Sequence, residues 1–454
     1  MLPPILTAGL RQLRAQKVVL VIGAGCSVEF PTSLDTASAI SIAAHDELVA
    51  CGAIVAVEES WDLAKVADAL ESSQSSRQML YDQLPIKKFR LAQPNDGYLI
   101  AAALQAEGVV KSVLSLNYDL AGVAALNRLG ISAVDEIYSS ADVTTLSAQV
   151  FAFLNGSAIS NGNDFVITTS DLEDSWQGGW QQLLTEHHMA SPIVVFAGLG
   201  SNAPLLEAAV QRIETAIGPT DATYLVDPGE IAANAFARDL RIDESKYFQQ
   251  TWNAFMLECA GITLSAQLES SERQLPQLKG RRPDMTPDLT LSGVFAQLSA
   301  LGLVKYGLVR SRWFGDRDSE SYDPYPEVGT TDHFRLLDLL AVVAAIMSHA
   351  ESVALGEDGH LSAAISSGGK RKLTLFSSAA MSFDVAVTRL KHSRSDGDAD
   401  VHIIAHTDPP ASTAPPEDLI DGEEEGNSIL NGPRPRFVYL PSIVGDEGWA
   451  DLLT

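Results

Sequence analysis

One stretch, Val18 to Ser33 (V-V-L-V-I-G-A-G-C-S-V-E-F-P-T-S), limits what this chain can fold into more than any other. Five consecutive apolar residues, Val18 to Ile22, predict a buried strand, and Gly23, Ala24 and Gly25 follow with almost no side-chain bulk. At the end of a parallel strand such residues let backbone N–H groups approach a pyrophosphate. A helix beginning near Ser33 would turn its positive end toward the same place. Tight-turn packing also uses glycine in this way, and Val28 stands where the G-x-G-x-x-G fingerprint has its third glycine. The segments downstream must decide between the two uses.

Those segments alternate. Helical patterns cover Ile5 to Lys17, Ser33 to Val49, Ala64 to Glu71 and Asp96 to Glu107. The strand Val109 to Leu114 then leads into Ser115-Leu116-Asn117-Tyr118-Asp119 and a helix, Leu120 to Leu129. Strand-like runs follow at Gln149 to Leu154 and Phe165 to Thr168, and Asp171 caps a helix through Trp176 and Trp180. A buried strand, Ile193 to Ala197, ends in Gly198-Leu199-Gly200-Ser201-Asn202 before a helix from Pro204 to Ile217. Thr223 to Val226 is a strand ending at Asp227, with helices at Ile231 to Leu240 and Lys246 to Cys259. This order predicts an α/β fold over residues 1–262, with a Rossmann-like, doubly wound, mostly parallel sheet. Ligands of such sheets bind beyond the carboxyl ends of the strands, where the polar clusters stand.

After Ile262 the pattern changes to a C-terminal α+β region, 263–454, whose role the residues do not reveal. A polar connector, Ser270 to Pro287, precedes a helix at Leu291 to Leu301. A helix apolar nearly all round, Phe334 to His349, is expected to be buried. Strands are expected at Lys372 to Phe376, Val401 to Ala405 and Arg436 to Leu440. The segment 406–435 is rich in proline and carries six acidic residues from Glu417 to Glu425, which predicts a disordered loop.

Composition removes several function classes. A length of 454 residues with 46% hydrophobic content supplies cores for two or three domains. The formal net charge of −27 repels a phosphodiester backbone, so nucleic acid is not expected as the primary ligand. Cys26, Cys51 and Cys259 lie far apart without a C-x-x-C pair, which argues against a disulfide framework and a cysteine-ligated zinc site. The apolar stretch Leu337 to Met347 falls well short of the ~20 residues that span a bilayer. With no signal-peptide pattern at the start, the reading is a cytoplasmic protein without a membrane partner.

Taken together, Gly23-Ala24-Gly25-Cys26-Ser27, Asn117-Tyr118-Asp119, Gly198-Leu199-Gly200-Ser201 and Val226-Asp227 resemble, in order and spacing, the sirtuin-like (silent information regulator) NAD-binding family. They are similar to its G-A-G-x-S loop, its T-N-Y-D segment, its F-x-G-x-S turn and the strand closing on the adenosine end. Phe153-Leu154-Asn155-Gly156-Ser157 stands where the family has K-L-H-G-S, and Ile167 to Asp171 is similar to the I-T-x-x-D that follows it. The closing helix with Trp252 and Phe255 is similar as well. The resemblance covers about residues 15–262 and implies NAD as substrate or ligand. Gly23, Ala24, Gly25 and Ser27 would contact the pyrophosphate, with Gly198, Gly200 and Ser201 completing the nucleotide-binding edge. Asp227 would accept from the adenosine ribose hydroxyls. Asn117 would orient the water or the nicotinamide ribose, and Asp119 would sit beside the nicotinamide.

Read as residues alone, an N-Y-D after a strand is also a turn and helix cap, and a strand-end aspartate also caps the next turn. Cleavage of the nicotinamide–ribose bond passes through an oxocarbenium-like ribose and needs a base near the attacking oxygen. Where the family carries its catalytic histidine, this chain has Asn155, which cannot take up a proton near neutral pH. His187 and His188 precede the Ile193 strand and belong at its other end, and His45 reads as structural. Gly200 replaces a family serine, and Ala203 a frequent aspartate. The four-cysteine zinc module of protein-deacetylating sirtuins is absent, and no metal is expected. His402 and His406 are four apart, but Val401 to Ala405 reads as a strand rather than a helix face.

The nearer comparison is therefore with prokaryotic sirtuin-like proteins of antiphage defence, which imply an NAD hydrolase releasing nicotinamide and ADP-ribose. That comparison also implies a homo-oligomer or a defence partner protein. The alternatives are a catalytically silent sensor or scaffold that binds NAD or an ADP-ribose derivative, and an oligomerisation platform without ligand.

Overall fold

A computed structural model of the chain describes residues 2–131, 133–159, 167–201, 203–218, 222–272 and 299–307, and the strands 350–355, 361–366, 370–377, 401–405 and 436–439. The chain divides into two compact units, Met1–Ala266 and Gln267–Thr454.

In the first unit, α1 (Pro4–Arg11) leads into β1 (Val18–Ile22), all five of whose residues are buried. The helices α2 (Ala37–Ala50), α3 (Leu63–Ser72), α4 (Arg77–Gln83), α5 (Ile86–Arg90) and α6 (Asp96–Ala106) follow. Then come β2 (Val110–Ser115), α7 (Ala121–Leu129), β3 (Asp135–Ile137) and β4 (Val150–Phe153). The chain continues through α8 (Thr169–Trp176), α9 (Trp180–Met189), β5 (Ile193–Ala197), α10 (Pro204–Ile217) and β6 (Thr223–Asp227). It closes with α11 (Ala235–Asp239), β7 (Tyr247–Gln249) and α12 (Trp252–Glu272), the last running past the unit boundary.

The seven strands form one sheet in the order β3-β4-β2-β1-β5-β6-β7, and every pairing is parallel. From β1 the chain builds one half outward through β2, β4 and β3. It then crosses to the far side of β1 to add β5, β6 and β7. The topological switch point therefore lies between β1 and β5, where a doubly wound sheet leaves a crevice at its carboxyl edge. Val19 and Val21 join Phe196 and Leu225 in a core cluster with Trp176, Leu184, Leu206 and Phe236, residues of α8, α9, α10 and α11. A satellite core under α2, α3 and α4 holds Leu48, Val66, Leu70 and Leu80.

Several boundaries differ from the reading above, each for a local reason. The helix expected from Ser33 starts at Ala37, capped by Thr36, because Ser33 adopts a φ of +48° and Leu34 N–H turns back to Ser27 O at 2.9 Å. What stands directly at the end of β1 is a short 3-10 turn, Ala24–Ser27. The strand expected over Phe165 to Thr168 falls partly outside the described residues, and its visible end is a cap: Thr168 is the N-cap of α8, with Asp171 closing the capping box. The helix through Trp176 and Trp180 is two helices, broken where Gly178 takes a φ of +78°. Ile231 to Leu240 is a 3-10 turn followed by α11, and the start of the helix expected at Lys246 is the edge strand β7. The edge strand β3 and the short helices α4 and α5 were not foreseen.

In the second unit, 299–307 is helical. Strands β8 (Ala350–Leu355), β9 (Leu361–Ser366), β10 (Lys370–Ser377), β11 (Val401–Ala405) and β12 (Arg436–Tyr439) form a sheet in the order β12-β11-β10-β9-β8. The first three strands pair antiparallel and the last three parallel. His402 lies on β11, in a strand as expected. The helix expected over Phe334 to His349 and the loop 406–435 lie outside the described residues. No helix among the described residues is long and apolar enough to cross a membrane.

Candidate functional site

The carboxyl edge of the sheet carries the turns Gly23 to Ser27 and Gly198 to Ser201 together with Asn117, Asp119, Asn155 and Asp227, most of them in two layers. The deeper layer is a hydrogen-bonded cluster under the β1 turn. Ser27 Oγ donates to Asp119 Oδ2 at 2.8 Å and lies 2.8 Å from Tyr98 OH. Because the serine has one proton and spends it on the carboxylate, the tyrosine hydroxyl donates to the serine. Asn117 Nδ2 reaches Gly23 O at 3.0 Å, Tyr98 OH at 3.2 Å and Ser27 Oγ at 3.3 Å. Asp119 Oδ1 accepts from Ala121 N–H at 3.0 Å, where α7 begins, so this aspartate is a helix-start acceptor as well as a member of the buried cluster. All four side chains are buried, none more than 7% exposed.

Burial sets the chemistry of this layer. It raises the Asp119 carboxyl above its ordinary range, against the pull of the Ser27 hydroxyl and the Ala121 N–H. It pushes the Tyr98 phenol and the Cys26 thiol well up, and the nearby Asp119 charge adds to both. The phenol and the thiol are therefore neutral at physiological pH. Tyr98 is the member that sequence reasoning missed, since it sits inside the apolar pattern of α6. Asn95 caps that helix through Tyr98 N–H and ties it to the β1 turn by donating to Cys26 O at 2.8 Å. Trp252, at the start of α12, stands edge-on to Tyr98 with ring centroids 6.2 Å apart. Glu29, in the loop after the turn, accepts from Asn253 N–H at 2.8 Å.

The outer layer is the rim. The turns after β1 and β5 pack directly on each other: Gly25 N–H donates to Gly198 O at 3.1 Å, and Gly23 N–H to Ala197 O at 2.9 Å. A Cβ on Gly25 would stand 2.7 Å from Gly198 Cα. One on Gly198, whose φ is +66°, would stand 2.5 Å from Cys26 N. Turn-on-turn packing thus accounts for Gly23, Gly25 and Gly198, and the amides of Gly23, Gly25 and Cys26 are bonded inside the protein. Among the described residues, no protein acceptor takes the N–H groups of Ala24, Gly200 and Ser201, and Gly200 and Ser201 are exposed. Beside them, at the end of β6, Asp227 Oδ1 accepts from Gly229 N–H at 2.8 Å; Tyr247 OH, 3.3 Å from that oxygen, lies closer to Gly229 O, at 2.8 Å, and its one proton goes there. Asp227 Oδ2 faces the Gly200 turn, 3.8 Å from where a Cβ on Gly200 would lie.

Asn155 follows β4 and is half-buried, and its Nδ2 makes one long contact, 3.5 Å to Leu116 O. Its partner Leu116 is the residue before Asn117, so Asn155 stands beside the turn that follows β2. The histidines lie elsewhere. His45 Nε2 accepts from Val57 N–H at 3.2 Å, so its Nδ1–H donates to Asp46. His188 Nδ1 pairs with Ser112 Oγ at 2.6 Å near the amino end of β2, and burial holds this imidazole down to about 3. Ala203 N–H is taken by Glu207 Oε1 at 2.8 Å, which closes the first turn of α10. Among the described residues no group of three or more His, Cys, Asp and Glu side chains could hold a metal ion.

No family model and no curated protein matches this chain. Among solved structures it is similar to a mutant Sir2 homologue in complex with ADP-ribose, at 14% identity and a TM-score of 0.34, covering 58% of this chain and 98% of that one. A Sir2 homologue in complex with NAD gives 14% identity and a TM-score of 0.32, over 57% of this chain and 93% of that one. A Sir2 complex with a p53 peptide and NAD gives 14% identity and a TM-score of 0.30, over 56% and 96%.

Proposed function

We propose that the unit Met1–Ala266 binds NAD, or an ADP-ribose derivative, across the crevice between β1 and β5. One observation carries this reading. Among the described residues, nothing accepts from the amides of Ala24, Gly200 and Ser201 at the switch point of an all-parallel sheet, and one carboxylate oxygen of Asp227 is open beside them. Unpaired amides on two adjacent turns suit a pyrophosphate, and a carboxylate at the next strand end suits a vicinal diol. Gly23, Gly25 and Gly198 then serve the ligand indirectly, by letting the two turns meet. Ser27, Asn117 and Asp119 form the floor beneath the β1 turn.

Two readings of the consequence follow. Hydrolysis to nicotinamide and ADP-ribose, in an antiphage setting, needs a proton acceptor beside the anomeric carbon. Among the described residues Asn155 cannot supply one, and Asp119 is enclosed by Ser27 and Ala121. These two facts favour the silent sensor, in which ligand binding is passed to residues 263–454 or to a partner.

Calorimetry with NAD, run beside chromatographic assay of nicotinamide release, separates the readings. Binding without nicotinamide is the outcome expected of the sensor. Release that vanishes in Asn117→Ala supports the hydrolase and sends the search to another base. Absence of binding at millimolar NAD contradicts both. Asn155→His adds a direct check: a rise in hydrolysis in a variant that still binds NAD assigns Asn155 to the base position, and no rise removes that assignment.

A further inference from the structure

The start of α12 is held by the loop that leaves the β1 turn. Glu29, two residues beyond Ser27, accepts from Asn253 N–H at 2.8 Å, across 224 positions of sequence. The local cap is longer: Thr251 Oγ1 takes Ala254 N–H at 3.4 Å. A carboxylate at a helix N-terminus also gains from the macrodipole, so Glu29 is the stronger of the two caps. The same first turn is tied to α6, whose Gly97 N–H donates to Asn253 Oδ1 at 2.8 Å. Trp252 fits against Gly97 so closely that a Cβ there would stand 2.1 Å from its Nε1. Its ring lies edge-on to Tyr98, which bonds Ser27 and Asn117. From this anchored end α12 runs for 21 residues, about 30 Å, and carries the chain past Ala266 out of the first unit.

The cap and the crevice share one loop. Cys26 stands between Ala24 and Glu29 in sequence, and the Glu29 charge reaches its thiol, adding to burial and to Asp119 in holding that thiol up. A pyrophosphate at Ala24 N–H brings further negative charge into the same neighbourhood, where it repels the Glu29 carboxylate. Ligand and cap therefore oppose each other. Resting on the NAD reading above, we propose that Glu29 couples the crevice to α12: bound NAD weakens its hold on Asn253 and loosens the first turn of the helix through which the chain passes to its second unit. By linkage, whatever fixes that turn with Glu29 in place weakens NAD binding by the same factor.

The test is amide hydrogen exchange of the full chain over Trp252 to Phe255, with and without saturating NAD, beside calorimetric titration of the wild type and of Glu29→Gln. NAD should speed exchange of the wild-type turn by about two- to fivefold, the effect of losing one charged cap. Glu29→Gln keeps an acceptor for Asn253 N–H without the charge. It should bind NAD about two- to fivefold more tightly than the wild type, a gap that added salt narrows, and its α12 turn should no longer respond to NAD. Exchange in the wild-type turn that bound NAD leaves unchanged or slows overturns the role of Glu29 while leaving the crevice intact, and that measurement stands even if the variant does not fold. Equal or weaker NAD binding by Glu29→Gln, shown folded by its melting curve, overturns it as well. Binding of NAD by neither protein overturns the NAD reading, and this inference with it.

Discussion

Replacing Gly198 by alanine probes the contact on which the whole crevice rests. Gly198 has a φ of +66°, and a Cβ there would meet three backbone atoms: Cys26 N at 2.5 Å, Gly23 O at 2.9 Å and Gly25 C at 2.9 Å. None of these can rotate away. Two costs therefore add: roughly 1–2 kcal/mol for an L residue in the left-handed region, and about 1–3 kcal/mol for overpacking. A total of about 3 kcal/mol is expected. Two controls separate the parts. Gly52 has a φ of +74° with nothing within 4 Å, so Gly52→Ala carries only the conformational cost. Gly200→Ala, with its one neighbour at an ordinary 3.8 Å, should stay within about 0.5 kcal/mol of wild type. Urea unfolding followed by tryptophan fluorescence measures all three. At an m value of about 3 kcal/mol/M, the midpoint for Gly198→Ala falls by about 1 M. If Gly198→Ala loses no more than Gly52→Ala, the two turns are not packed as described and the account of the glycines fails.

Two further perturbations reach other parts of the unit. Tyr98→Phe removes the hydroxyl shared by Ser27 and Asn117, and should lower the unfolding free energy by about 1–2 kcal/mol in the same assay; an unchanged midpoint would mean the buried cluster is not formed. His188 is neutral in the fold because burial depresses it to about 3, whereas the unfolded chain takes up its proton below the ordinary 6.5. Its contribution is complete above pH 6.5 and is lost as the pH falls, by about 2 kcal/mol between pH 8 and pH 5. Subtracting the pH profile of His188→Gln from that of the wild type should reveal this slope, and parallel profiles would refute it.

Much of the sheet could be read from the chain because its central strands announce themselves twice. β1 and β5 are runs of five apolar residues, each ended by a glycine, and α10 opens with Pro204, so both ends of each element carry a signal. β3 gave no such signal: it is three residues long, two of them acidic, and exists through its ladder with β4. The helix expected at Ser33 was misplaced because the positive φ at that serine, and its return contact through Leu34, are tertiary facts without a local pattern. At the site, Ser27, Asn117, Asp119 and Asp227 were legible as polar residues just past strand ends. Tyr98 was not, because an aromatic in an alanine-rich helix reads as core; the usable clue was that a buried tyrosine needs a partner for its hydroxyl. The glycines were legible as special positions but not in their use. Only the distance from one turn to the other shows that they accommodate each other, leaving Ala24, Gly200 and Ser201 to present the amides that find no acceptor among the described residues.

Whether NAD binds in the crevice between β1 and β5 is the most direct test of the proposed function, and amide hydrogen exchange on the full chain, with and without saturating NAD, answers it. Protection on binding should be concentrated in the turns Gly23 to Ser27 and Gly198 to Ser201 and at the end of β6 around Asp227. Unchanged exchange in those three segments, with NAD bound elsewhere or not at all, would contradict the assignment of the β1/β5 crevice as the site.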